Sequence, residues 1–177
     1  MATGAAVSSV YYYFKNNDVS RPSKLRYYFS KSDASPREEL TNLIDNAQNT
    51  IDAAVFYITE KKIIAHLCNA TKRGVEVRII TDKDNDRALD TLVDCGIPIK
   101  VNTYKGNMHL KNMIVDKKIA TTGSYNFTYN AEFNNEEVVI ILDNKEIAGE
   151  WSAKFEKMWN DKINYKNYES KNLKKYA

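Results

Sequence analysis

The sequence predicts a single α/β domain: a mixed, largely parallel β-sheet with helices on both faces. Three observations carry that expectation. Short apolar runs rich in β-forming residues alternate with amphipathic helical stretches. In the first half the connections between strands are helix-length, as parallel crossovers require. The chain has 177 residues, 43% hydrophobic and 28% charged, which suits one buried core.

The elements follow in order. KLRYYFS (24–30) is Tyr/Phe-rich and reads as a strand. SPREELTNLIDNAQ (35–48) has Ser35 at the cap, Pro36 in the first turn and acids behind it, which is a helix start. TIDAAVFYI (50–58) is a strand, and TEKKIIAHLCNATKRG (59–74) is a helix closed by Gly74. VEVRIIT (75–81) is a strand, followed by the Asp-rich turn DKDND and a short helix, RALDTLVDCG. IPIKVN (97–102), HLKNMIVD (109–116), KIATTG (118–123) and EEVVIILD (136–143) are strands, with Asp116-Lys117-Lys118 turning between the second and third of these. KEIAGEWSAKFEKMWND (145–161) is a helix whose inner stripe is Ile147, Trp151, Phe155, Met158 and Trp159. Residues 1–23 form an N-terminal extension, 24–161 the domain, and 162–177 a basic Lys/Tyr tail.

The net charge of +3 is unevenly spread. Residues 1–31 hold five cations against Asp18, and residues 161–177 hold five against Asp161 and Glu169. The intervening chain is net acidic. Basic arms around an acidic body fit a polyanion such as nucleic acid, and lysines interleaved with Tyr165, Tyr168 and Tyr176 suit backbone contacts and base stacking. Solvated termini are the plainer reading of the same charge. No apolar run is long enough to span a bilayer. Cys68 and Cys95 make neither a disulfide framework nor a metal spacing, so two reduced core thiols in an intracellular, cytoplasmic setting are expected. Asp82, Asp84 and Asp86 lack the Gly and distal Glu of a calcium loop and read as a polar turn.

The informative stretch is MHLKNMIVDKKIATTGSYNFT (108–128). On a strand, His109 and Lys111 point the same way, about 6–7 Å apart. An imidazole beside an ammonium at the rim of a core is an anion site containing a nucleophile or an acid. If the next strand pairs as a hairpin, Gly123-Ser124-Tyr125-Asn126 brings a tight turn, a hydroxyl and an amide to the same edge. Those donors suit phosphate oxygens. Taken singly, each residue has a plain structural reading, and Asp116 can be simply the hairpin turn. Their conjunction at fixed spacing favours a site.

His109-x-Lys111-x4-Asp116 followed by Gly123-Ser124 resembles the HKD motif of the phospholipase D superfamily. GSYNFT and NNEEVVII, with KRGVEVRIITD and CGIPIKV, extend the likeness over roughly residues 25–160 to the single-HKD, Nuc-like and Zucchini-like endonucleases, the mitochondrial phospholipase D-like branch. The resemblance implies a phospholipase D-like fold with one half-site per chain. It implies that His109 attacks phosphorus to form a phosphohistidine, and that Lys111, Ser124 and Asn126 bind the phosphoryl oxygens. Glu137, with Glu136 as the fallback, orients the imidazole, and Asp116 supports the site. Glu132 reads as a loop acid. No metal and no cofactor is expected.

Double displacement needs a nucleophile and a separate acid, and the chain has one HKD motif. His66 sits in a helix with no Lys or Asp at the motif spacing. A homodimer placing both His109 side chains at one site is therefore expected. The resulting expectation is a metal-independent endonuclease acting on single- or double-stranded DNA, or on RNA. The alternatives are a phospholipase D or cardiolipin hydrolase, which would want an apolar membrane-facing surface, and a non-catalytic nucleic-acid-binding dimer.

Overall fold

The computed structural model describes residues 24–82 and 86–170. The strands are β1 (Lys24–Phe29), β2 (Thr50–Val55), β3 (Glu76–Thr81), β4 (Ile99–Asn102), β5 (Lys111–Val115), β6 (Ile119–Gly123), β7 (Val138–Asp143) and β8 (Tyr165–Asn167). The helices are α1 (Pro36–Asn46), α2 (Lys61–Lys72), α3 (Asp86–Asp94), α4 (Tyr129–Phe133) and α5 (Lys145–Asn160). One sheet joins all eight strands in the order β1-β7-β6-β5-β2-β3-β4-β8.

The sheet is mixed, as expected, but its parallel part is limited to β2-β3-β4. The other five pairings are antiparallel, which corrects the expectation of a largely parallel sheet. The reason is local. The three-residue turn Asp116-Lys117-Lys118, whose first two residues both have φ 52°, makes β5 and β6 a tight hairpin, and β7 and β1 continue the alternation.

Local chemistry sets the helix ends. Ser35 Oγ accepts from the Glu38 N–H at the start of α1, and Glu60 accepts from the Lys62 N–H at the start of α2. One face of the sheet packs against α1, α2 and α3 through Leu40, Ile44, Ile63, Leu67, Leu89 and Leu92. The other packs against α5 through Ala148, Phe155 and Met158. On that second face Asp52, buried beneath α5, accepts two hydrogen bonds from Arg78, which also reaches Glu156.

Two expectations change here. The tail does not begin at 162: Tyr165–Asn167 pairs with β4 and closes that edge of the sheet. Tyr165 is buried beside Tyr104, and the Tyr168 hydroxyl donates to Asp90, so packing uses both rings and neither is free to stack on bases. Residues 1–23 and 171–177, with Tyr176, lie outside the described residues.

Cys68 and Cys95 are not two thiols but a disulfide, with Cα atoms 5.4 Å apart. Side-by-side packing of α2 and α3 brings residues 27 apart in sequence into bonding range. The ground for expecting an intracellular setting falls away with the free thiols. Among the described residues no helix is long and apolar enough to cross a membrane. For a closed loop of this length the bond stabilises by about 3 kcal/mol. Cys95→Ser is expected to lower the denaturation free energy by that amount in a urea titration, and reductant should do the same to the wild type.

Candidate active site

Strand directions decide what meets at one edge. β2, β3 and β4 run together and β5 runs against β2, so the start of β5 lies beside the ends of β2 and β3. β6 ends and β7 begins at that same edge. His109 therefore stands near Phe56, Asp82, Ser124 and Glu137, each from a different strand end. In α/β sheets the carboxyl ends of parallel strands are where ligands bind.

His109 is exposed and lies just before β5, which begins at Lys111 rather than at the histidine. Its Nδ1 is 3.0 Å from the Lys111 Nζ, which also donates to the His109 carbonyl at 3.0 Å. Lys111 is buried at 7% exposure. No carboxylate of the described residues forms an ion pair with it. Burial pushes its ammonium below the usual lysine range, and the charges of Glu137 and Asp82 offset only part of that. The result is a desolvated cation next to an accessible imidazole.

Phe56, absent from the sequence reading, is the platform for both. Its ring centre is 4.6 Å from that of His109, and the Lys111 Nζ lies 4.9 Å from the same centre. Its N–H also donates to the Leu110 carbonyl at 2.8 Å, fixing the entry to β5. An aromatic at the carboxyl end of an apolar parallel strand was the signal available for it.

Gly123 and Ser124 close the next strand as expected. Gly123 has φ +147°, and a Cβ there would lie 1.9 Å from the Val138 carbonyl oxygen, so only glycine lets β6 and β7 approach. Ser124 is exposed and joined to Val138 at both ends: its N–H donates to the Val138 carbonyl at 3.1 Å, and its Oγ accepts from the Val138 N–H at 3.2 Å. Its hydroxyl proton remains available to a ligand. Asn126 Oδ1 is buried and accepts no hydrogen bond from the described residues. Glu132, expected as a loop acid, is instead a buried structural acid on α4 that accepts from Tyr125, Ser35 and the Arg37 N–H.

Glu137 reaches the same edge, yet within one chain no hydrogen bond links it to His109. Its Oε1 accepts from Asn135 at 3.0 Å. Ser30, also missed from sequence, holds this turn: its Oγ accepts from the Glu137 N–H at 2.8 Å and donates to the Asn135 carbonyl at 2.7 Å. Glu136, the fallback, is exposed and forms an ion pair with Lys31 at 2.5 Å.

Asp116 is not at the site. It stands past the far end of β5, seven residues from His109, or about 23 Å along an extended strand. There its carboxylate accepts from the N–H groups of Gln48, Asn49 and Thr50 at 2.7–3.0 Å. Burial pushes its pKa up, but these three donors and Lys118 outweigh it and hold the carboxyl below the usual aspartate value. A depressed carboxylate contributes stability above its unfolded pKa, and that contribution is lost as pH falls through the folded one. Asp116→Ala is therefore expected to cost about 2 kcal/mol at pH 7 and much less at pH 2, read from denaturation curves at both values.

His66 lies on α2 with Nδ1 2.7 Å from Asp45 and takes no part. Among the described residues no cluster of His, Cys, Asp or Glu could hold a metal ion. Of the aspartate turn, Asp82 is described and Asp84 is not.

Residues 40–159 match the family model described as cardiolipin synthase, PLD-like domain. The chain belongs to the phospholipase D-like family. Nuc from Salmonella typhimurium, a phospholipase D family member, superposes with a TM-score of 0.74 at 26% identity, over 83% of this chain and 100% of Nuc. A phospholipase D from Rickettsia prowazekii is 30% identical over 170 residues, 84% of this chain and 82% of that protein. The mitochondrial cardiolipin hydrolase of Mus musculus is 33% identical over 119 residues, 65% of this chain and 54% of the hydrolase. The chain spans about half the length of several curated relatives it matches, 56% for the phospholipase D of Rickettsia conorii. The mixed sheet clad by helices on both faces is this family's fold, and the His-Lys pair falls inside the matched segment.

Proposed function

We propose that this phospholipase D-like chain is a metal-independent endonuclease. It hydrolyses DNA or RNA phosphodiesters through a phosphohistidine, at a site that two copies share about a twofold axis. One observation carries the reading: an exposed imidazole and a buried ammonium 3.0 Å apart on one aromatic ring. That pairing places a nucleophile against a seat for phosphoryl oxygens.

In the first step one His109 attacks phosphorus through Nε2. The P–O bond to the leaving strand breaks, and His109 of the partner subunit protonates the departing oxygen. In the second step that same partner imidazole takes a proton from water. The hydroxide attacks phosphorus and the P–N bond breaks, which restores both rings. Lys111, Ser124 and Asn126 hold the non-bridging oxygens. The pairing of copies also answers a tautomer problem. A lysine ammonium only donates, so the Nδ1 facing Lys111 accepts, and the ring proton then sits on Nε2, the nitrogen that must attack. Attack needs that proton moved to Nδ1 and held by a carboxylate. Glu137, engaged by Asn135 in the single chain, takes that part when the shared site closes.

The lipid reading gains one observation. Leu25, Tyr27 and Phe29 alternate on the edge strand β1 at 53%, 62% and 54% exposure, an apolar stripe ending at the catalytic edge. Incubation with single- and double-stranded DNA, RNA and phospholipid vesicles in excess chelator separates the two. Nucleic-acid cleavage lost in His109→Ala supports the nuclease. Turnover of phospholipid alone transfers the site to lipid, and silence on every substrate leaves a binding protein.

A further inference from the structure

The connection from β4 to β5 carries the candidate nucleophile and is longer than its path. β4 and β5 are three sheet positions apart, with β3 and β2 between them, a span of about 14 Å. The eight residues 103–110 can reach about 26 Å when extended. Residues 103–107 are exposed, so core packing does not take up the slack. Something else must fix where His109 stands.

Two hydrogen-bonded pins do so. Over the end of β2, the Phe56 N–H holds the Leu110 carbonyl at 2.8 Å, one residue after His109. Over the end of β3, Asp82 Oδ1 accepts from the Met108 N–H at 2.7 Å, one residue before it. That oxygen also accepts from Asn102 Nδ2 at 2.5 Å. Asn102 in turn donates to the Gly106 carbonyl at 2.8 Å and accepts from the Tyr104 N–H at 3.0 Å. Asp82 and Asn102 thus bind three backbone groups of the connection and each other.

We infer that Asp82 and Asn102 form a clamp that positions the His109 imidazole for attack, acting through the backbone of residues 104–108 without touching substrate. The inference rests on the function proposed above only for its kinetic readout. The physical reason is geometric: a nucleophile displaced by about 1 Å loses about a hundredfold in rate. The two bonds that Asp82 makes to this connection both end on Oδ1, so the clamp needs an oxygen acceptor at that position. Asparagine keeps that acceptor, and alanine does not.

The test uses the full chain with ¹⁵N-labelled histidine, where His66 and His109 are the two histidines. His66, held by Asp45 on α2, is an internal control. Asp82→Ala is expected to broaden the His109 ring resonances and leave those of His66 in place, while Asp82→Asn keeps the wild-type line widths, with only the small shift that loss of a charge near Lys111 brings. In cleavage assays Asp82→Ala should lose about 30- to 100-fold in kcat with KM within about twofold. Asn102→Ala should lose about tenfold, and Asp82→Asn should recover most of the rate. His109 signals unbroadened in Asp82→Ala, or Asp82→Asn as impaired as the alanine variant, would overturn the clamp. If Asp82→Ala does not fold, Asn102→Ala carries the same two readouts. A wild-type protein inert on nucleic acid defeats the function reading instead, and the histidine spectra still decide the clamp.

Discussion

His109→Ala is expected to abolish phosphodiester cleavage, a loss of about 10⁴-fold or more in kcat, because no other group can form the covalent intermediate. His66 cannot substitute: it lies on α2, paired with Asp45. The fold should be indifferent, since the imidazole is exposed and, among the described residues, its ring and hydrogen-bond contacts are with Phe56 and Lys111. Thermal melting within about 2 °C of wild type, together with an empty cleavage assay, is the expected pair of results. Residual cleavage at a hundredth of the wild-type rate would assign the attack to another group.

Lys111→Met is expected to cost about 10²- to 10³-fold in kcat, the size of effect seen when one donor to a developing oxyanion is removed. Methionine fills the buried volume and removes the desolvated charge, but it takes the donor from the His109 carbonyl, so stability should change little. Lys111→Arg keeps the charge but brings a planar fork to a seat shaped by the Phe56 ring, and should recover only part of the rate. The pH dependence has a definite sign. In the proposed reaction it is the ammonium form that binds the phosphate, and burial lowers the Lys111 pKa. The alkaline limb of kcat/KM should therefore fall below the ordinary lysine range and be absent from Lys111→Met. An alkaline limb at the usual lysine value would show that the side chain is solvated during catalysis.

Much of this site was legible because it is local. The two-residue period predicts His109 beside Lys111, and the side chains do meet although β5 begins only at Lys111, while a tight hairpin carries Ser124 and Asn126 back to the same edge. Glu137 follows because β7 starts where β6 ends. What escaped depends on neighbours that no window contains. Phe56 and Ser30 arrive from the ends of β2 and β1 to meet His109 and Glu137, and Asp82 arrives from the end of β3 to meet the Met108 N–H, all through the sheet order. The Cys68–Cys95 bond needs the packing of two helices, and Tyr165 reads as a stacking residue until its strand is seen to pair with β4. Asp116 is a different kind of miss. Counting five strand residues between Lys111 and Val115 already separates it from the histidine, yet its place in the motif drew it into the site. Its carboxylate serves the far edge, where three backbone donors need an acceptor.

The central claim is that two His109 side chains serve one phosphorus. Co-expressing wild-type and His109→Ala chains in equal amounts, with different tags so that the mixed dimer can be purified, tests it most directly. A shared site leaves the mixed dimer inactive, and the unfractionated pool then keeps about one quarter of the all-wild-type rate. Independent sites would leave the mixed dimer half active and the pool at about one half. A mixed dimer that cleaves at half the wild-type rate would contradict the shared site.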